Sequence, residues 1–251
     1  MIALTAAISL FLAASVQGDR TFTVTNNCAY TVWPAIFTDP NVGSAHPDQP
    51  NGWEAAPGNT VSFSVPDNWS AGRIWGRRDC DFSNPDPGTQ CPVGGCPGGL
   101  VCNGTGDAPA TLAEFTLGTN GSPDYYDVSV VDGFNLPITV TNNAGCSTAS
   151  CPVDLDASCP SELALTVNAK VEACKSACAA GIDDDNGNSP NCCTGSHNTP
   201  ATCPPSDVDY YSFFKGNCPD AYAYAYDESS GTALWTCDST LAADYTVTFC
   251  P

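Results

Sequence analysis

The sequence predicts a mainly-β fold: a β-sandwich closed by its N- and C-terminal strands and interrupted by disulfide-rich insertions. Three observations predict it. Segments alternating polar and apolar residues stand at both ends, at 21–25 and 245–249. Two cysteine-dense stretches, 80–110 and 146–218, lie between such segments. The length, 251 residues, suits one large all-β domain and is enough to bury a real core.

Residues 2–16, IALTAAISLFLAASV, carry no charge and are too short for a comfortable membrane span. They read as a signal-peptide core without a basic n-region, cleaved near Gly18, so that 1–18 is the signal peptide and 19–251 the mature, secreted chain. Thr21-Phe22-Thr23-Val24-Thr25 is the first strand and stops at Asn26-Asn27. Tyr30-Thr31-Val32-Trp33 follows the turn, then Val61 to Val65 ending at Pro66, then Arg73 to Arg77. Later strands are Thr111 to Leu117, Tyr125 to Val131, Ile138 to Thr141 and Tyr245 to Phe249. The pentapeptide Thr-Val-Thr-Asn-Asn at 23–27 and 139–143 marks two strand ends with similar turns, not a repeat.

Residues 80–110 read as a stapled, looped subdomain with little core of its own. In the second cysteine-dense stretch two short helices are expected. One runs from Lys170 to Ala180, with Cys174 and Cys178 on one face and Gly181 as its stop. The other starts at Ser206, with Asp209 completing a capping box, and stops at Gly216. Asp183 to Asp185 between them is a solvated loop. The sandwich is thus assigned 19–79, 111–148 and 218–251, the looped subdomain 80–110 and the disulfide-rich helical subdomain 149–217.

Seven Lys and Arg against 27 Asp and Glu give a net charge of −20. That excludes nucleic acid and anionic membranes as partners, because phosphate contacts need clustered basic residues. With 42% hydrophobic and 10% aromatic residues, the chain is not a disordered acidic polymer. No second segment is long and apolar enough for membrane insertion. Sixteen cysteines behind a signal segment imply disulfides. A zinc site is disfavoured: there is no C-x-x-C pair, and the histidines are His46 and His197 alone. Sequons at Asn68, Asn103 and Asn120 fit the same compartment as glycosylation sites.

No phosphate-binding glycine loop and no H-E-x-x-H motif is present, and the two histidines lie in polar, turn-like stretches, which argues against a Ser-His-Asp triad. Carboxylates remain, and glycoside hydrolysis needs two of them. Glu172 reads as a surface partner of Lys175 on the first helix, Glu162 lies near an element start, and Glu54 and Glu228 lie in loops. Glu114, in the apolar stretch Ala110 to Phe115, stands out, although a strand carboxylate can equally point to solvent. Asp127 and Asp132 are five residues apart and share a face only if a bulge intervenes or the strand ends before Asp132. Asp132-Gly133 is a turn signal that permits the second option.

Several segments carry a resemblance. They are Gly72-Arg73-Ile74-Trp75-Gly76-Arg77-Arg78-Asp79-Cys80, Cys96 to Gly104, Ala110 to Phe115, Tyr126 to Pro137, Cys174 to Cys178, Cys218-Pro219-Asp220-Ala221-Tyr222 and Thr248-Phe249-Cys250-Pro251. In order and over essentially all of the mature chain, the sequence resembles the thaumatin-like protein family, of the pathogenesis-related family 5 type. The resemblance implies a thaumatin-like β-sandwich with a disulfide-rich, short-helix subdomain and a small looped one. It also implies eight disulfides: 28–250, 80–91, 96–102, 146–237, 151–218, 159–174, 178–192 and 193–203, as Cys28, Cys250, Cys80, Cys91, Cys96, Cys102, Cys146, Cys237, Cys151, Cys218, Cys159, Cys174, Cys178, Cys192, Cys193 and Cys203.

An acidic cleft of one Arg, one Glu and three Asp is implied as well, here Arg73, Glu114, Asp127, Asp132 and either Asp220 or Asp227. Phe134, Tyr222 and Tyr224 either offer aromatic faces to sugar rings or belong to the core. The implied function is binding and weak endo-hydrolysis of cell-wall β-1,3-glucan or another wall polysaccharide. Glu114 would be the general acid, Asp127 the base or nucleophile, and Arg73 the group holding one carboxylate ionised. No cofactor and no metal is implied, and the chain is expected to be a monomer. The alternative is a non-catalytic glucan-binding antifungal protein or an inhibitor of foreign glycosidases. Arg78-Asp79 departs from the Thr-Gly many members carry before the cysteine, and the chain is strongly acidic where several members are basic. The Asp183-Asp184-Asp185 loop suggests a fungal or otherwise non-classical branch.

Overall fold

The structure, a computed structural model, describes residues 18–251. Residues 1–17 of the expected signal peptide lie outside the described residues. The strands, in chain order, are β1 (Arg20–Asn26), β2 (Trp33–Thr38), β3 (Thr60–Val65), β4 (Gly72–Arg77), β5 (Leu112–Thr116), β6 (Asp124–Ser129), β7 (Ile138–Asn142), β8 (Ala149–Cys151), β9 (Ala164–Val167), β10 (Lys170–Cys174), β11 (Trp235–Cys237) and β12 (Tyr245–Phe249). The α-helices are α1 (Ala177–Ala180) and α2 (Tyr211–Asn217).

Two five-stranded sheets face each other, ordered β3-β1-β12-β7-β8 and β11-β6-β5-β4-β2, while β9 and β10 form a separate hairpin. The alternation in β1 does what its period demands: Phe22 and Val24 point into the core and the threonines between them point out. β12 lies parallel to β1 in register, Val24 opposite Val247, so the first and last strands meet inside one sheet. Phe22 is the hub between the sheets, with ring centroids 4.9 Å from Phe115, 5.5 Å from Trp69 and 5.4 Å from Tyr245. The buried charge of Arg20 is matched by Asp124 at 3.0 Å, which also accepts from the Tyr245 hydroxyl.

In the second sheet Ile74, Ala113, Phe115, Tyr126 and Val128 fill the same core. The residues between them therefore point to the opposite, outer face. There the segment 80–110 covers one end of the sheet: Trp75, Leu112 and Ala35 pack against Cys96 and Cys102, and the Trp75 indole donates to the Gly94 carbonyl. Arg77, fully buried, clamps that loop by donating to the Gly99 and Leu100 carbonyls, and burial lowers its pKa to about 10. Eight disulfides close, joining the same pairs as the resemblance implies, and no described cysteine is free.

Several expectations need correction. The second strand is Trp33–Thr38 rather than Tyr30–Trp33, because β2 is an edge strand, where Pro34 is tolerated. The helix expected over 170–180 is confined to Ala177–Ala180, capped by the Ser176 side chain and by Gly181 in the left-handed conformation. Lys170–Cys174 is instead strand β10, paired with β9. A register shift between Val171 and Ala173 leaves Glu172 unpaired in the ladder and aims it inward, so it is a buried partner of Arg78 and not a surface partner of Lys175. The Ser206–Asp209 capping box does not form: Ser206 bonds Asp207, the Asp209 amide donates to Asn191, and α2 starts only after Tyr210 in a left-handed turn.

Candidate functional site

Strand register builds the site. Arg73 on β4 is opposite Glu114 on β5, and Glu114 is opposite Asp127 on β6. Directly opposed residues hold their Cβ atoms roughly 4.5–5.5 Å apart, so the three form one row across the outer face of the sheet. The Arg73 guanidinium lies 3.1 Å from the Glu114 carboxylate. β6 ends at Ser129, and Asp132 sits in the turn beyond, closed by the Gly133 amide donating to the Val130 carbonyl. The early strand end brings Asp132 to the same hollow as Arg73, Glu114 and Asp127. Gly133 adopts φ +101°, and a Cβ there would meet the Cys174 carbonyl oxygen at 2.6 Å, so this turn requires glycine.

The opposite wall comes from 219–228. Tyr222 pairs with β6 through its amide to Val128 O and its carbonyl from Val130 N, which carries Tyr222 and Glu228 over Asp127. Three adjoining hollows make up one cleft. A central one of about 380 Å³ lies over the acid row. A second, about 320 Å³, extends past Phe37, Tyr125 and Leu234. A third, about 350 Å³, runs from Asp132 to α1 and the Cys178–Cys192 disulfide.

The two central carboxyls differ in environment. Asp127 is 9% exposed, and its Oδ1 has no hydrogen-bond partner. Burial, then the Glu114 charge, raises its pKa well above the usual carboxylate range; Arg73 opposes the rise and Glu228 adds to it. The Glu114 side chain is 31% exposed. Burial raises its pKa too, with Arg73 pulling it down and Asp132 pushing it up. Mutual repulsion between the opposed carboxyls therefore falls on Asp127, the more enclosed of the two. Burial and the Glu228 and Asp127 charges raise the Tyr222 pKa.

Three expected site residues lie elsewhere. Phe134 is fully buried in the main core and pairs with Cys174 through its backbone, so it offers no face to a ligand. Asp220 is outside the cleft, where its backbone pairs with Ser150 and its carbonyl accepts from the Trp235 indole. Asp227 is fully buried beneath the wall, bonded by Lys215 at 3.1 Å, the Tyr211 hydroxyl and the Ala223 amide. Its neighbour Glu228, which the sequence reading left in a loop, lines the cleft instead. Tyr224 is buried, whereas Tyr222 reaches the cleft. Asn68, Asn103 and Asn120 are all exposed. Among the described residues no three His, Cys, Asp or Glu side chains group to hold a metal ion. No helix among them is long and apolar enough to cross a membrane.

Comparison with known proteins shows the family. Residues 26–251 match the model of the Thaumatin family. The chain is 43% identical over 251 residues to "Pathogenesis-related thaumatin-like protein 3.5" of Cryptomeria japonica, covering 98% of this chain and 96% of that one. It is 42% identical over 240 residues to "Glucan endo-1,3-beta-glucosidase" of Prunus avium, covering 92% and 90%. These relatives are plant proteins and lend nothing to the expected fungal branch. Among solved structures, a GH family 64 laminaripentaose-producing β-1,3-glucanase from Paenibacillus barengoltzii, complexed with laminarihexaose, shares the fold. Its TM-score is 0.54 at 14% identity, over 96% of this chain and 78% of that one.

Proposed function

The chain belongs to the thaumatin family, and from that premise we propose that it is a secreted defence protein that binds β-1,3-glucan of cell walls in the acidic cleft and hydrolyses it weakly. The observation that carries this reading is the row Arg73–Glu114–Asp127, two opposed carboxyls in unequal surroundings with a cation on one of them. Paired acid–base work needs one carboxyl protonated and its neighbour ionised. The identity to a relative named as a glucan endo-1,3-β-glucosidase supports the substrate class. Eight disulfides support an oxidising, extracellular setting. The net charge of −20 is no obstacle to a neutral polymer.

The electrostatics reverse the division of labour expected from the sequence. Asp127, whose proton is held by burial and by its neighbour's charge, is the general acid that protonates the leaving glycosidic oxygen. Glu114, paired with Arg73, is the carboxylate that assists attack at the anomeric carbon, and water supplies the hydroxyl to the new reducing end. Asp132 and Glu228 accept hydrogen bonds from sugar hydroxyls. Reducing-end release from linear β-1,3-glucan, set beside cellulose and xylan, tests the proposal. New ends from the β-1,3 polymer alone support it. Retention by the polymer with no new ends leaves a non-catalytic binding protein, and neither retention nor new ends overturns it.

A further inference from the structure

The acid row does not stand alone on its face of the sheet. Tyr125 lies two residues before Asp127 on β6 and therefore on the same face, opposite Thr116 of β5. Phe37, on β2, stands opposite Arg73 of β4 and extends the acid row at its far end, with β4 and β5 between it and the strand of Tyr125. Both line the hollow of about 320 Å³ that opens from the acid row away from Asp132, and Leu234 borders it too. Tyr125 is 40% exposed, and among the described residues it packs in no ring pair and its hydroxyl has no hydrogen-bond partner. The other large exposed aromatic among the described residues, Tyr30, is different: the Arg78 guanidinium covers its ring at 4.9 Å. Asp39, Thr105 and Thr116 add polar groups around the Tyr125 hollow.

An aromatic face next to acceptors fits one kind of ligand well. A neutral pyranose ring has an apolar C–H face for the ring and hydroxyls for the polar rim. Anionic sugars do not fit, because Asp39 and the acid row would repel them and the one cation there, Arg73, is already paired.

We infer that Tyr125 is the stacking platform for a glucosyl unit next to the bond over the acid row, and that it sets the preference for an unsubstituted neutral glucan. This rests on the reading of the cleft as a glucan site.

Calorimetric titration of the intact, disulfide-bonded protein with laminarihexaose tests it. Tyr125→Ala weakens binding roughly tenfold, whereas Tyr125→Phe, which keeps the ring, stays within about twofold. Tyr125→Thr, which keeps strand propensity, repeats the loss should the alanine variant fold poorly. Wild-type binding with equal affinity in Tyr125→Ala overturns the platform alone. An equal loss in Tyr125→Phe overturns it too, by assigning the contact to the hydroxyl. No binding by the wild type overturns the glucan reading, and the platform with it.

Discussion

Glu114 and Asp127 are directly opposed on neighbouring strands, yet only Glu114 touches a cation: Arg73 lies 3.1 Å from Glu114, while Asp127 Oδ1 is buried without a partner. Burial raises both carboxyls, but Asp127 is held toward its protonated form the more strongly, and this asymmetry governs what substitutions at each should do.

Asp127→Asn removes the proposed proton donor and should lower glucan turnover by roughly two to four orders of magnitude. The same change should raise the melting temperature at neutral pH. A carboxyl whose folded pKa lies above its unfolded value stabilises the fold fully below the unfolded pKa, and that contribution is lost as pH rises toward the folded pKa. Asparagine has no proton to lose. A variant that melts below the wild type at pH 7 would contradict the raised pKa.

Turnover in the wild type should be bell-shaped in pH, with Glu114 ionisation setting the acid limb and loss of the Asp127 proton the alkaline limb. Glu114→Gln removes the charge whose repulsion raises the Asp127 pKa and keeps the opposing charge of Arg73. The Asp127 titration, followed by carboxyl carbon NMR, should move to lower pH in this variant. An unmoved titration would show that burial alone holds the Asp127 proton.

Away from the cleft, Arg78 joins the end of β4 to the disulfide-rich segment, with Asp156 at 2.9 Å, Glu172 in close contact and the Asn135 carbonyl at 2.9 Å. Truncation to alanine leaves Asp156 without its cation and Glu172 with Lys170 alone, at 2.7 Å, and should cost about 3 kcal/mol of stability in denaturant titration. Burial, opposed by Arg78, raises the Asp156 pKa to about 7. Its contribution is complete below about pH 4, near the unfolded carboxylate pKa, and is lost as pH rises to about 7. Asp156→Asn should therefore flatten the pH dependence of the melting temperature across that window. An unchanged slope would remove Asp156 as its source.

Gly133→Ala places a methyl group against the Cys174 carbonyl and forces an L residue to φ +101°. A loss of about 1–3 kcal/mol is expected, together with weaker glucan binding, because the turn that sets Asp132 must shift. Wild-type stability and affinity in this variant would show that the turn relaxes without moving the site.

Much of this was legible wherever a local rule governs. The alternation of Phe22 and Val24 gave a strand with a buried face, and Asp132-Gly133 gave a turn that resolves the parity of Asp127 and Asp132. The rest depends on partners distant in sequence. Glu228 reaches the cleft only because Tyr222 pairs with β6, a contact with no local pattern. Glu172 turns inward because of a bulge and because Arg78, 94 positions earlier, receives it. Phe134, beside the cleft motif in sequence, points into the core. The roles of Glu114 and Asp127 follow from how deeply each is enclosed, which spacing does not encode.

The pairing of β1 with β12 sets the order of events at birth. Phe22 finds Tyr245 across more than two hundred intervening residues, and Cys28 is joined to Cys250 over a separation of 222. A nascent chain can fold β4, β5 and β6 against one another as they emerge, but one edge of β1 stays open until β12 has left the ribosome. Contacts this remote slow folding and leave apolar strand edges exposed meanwhile. Strands β2, β4, β5 and β6, which carry the acid row, can thus pair during synthesis, whereas the edge strand β11 and the sheet that backs them must wait for its completion.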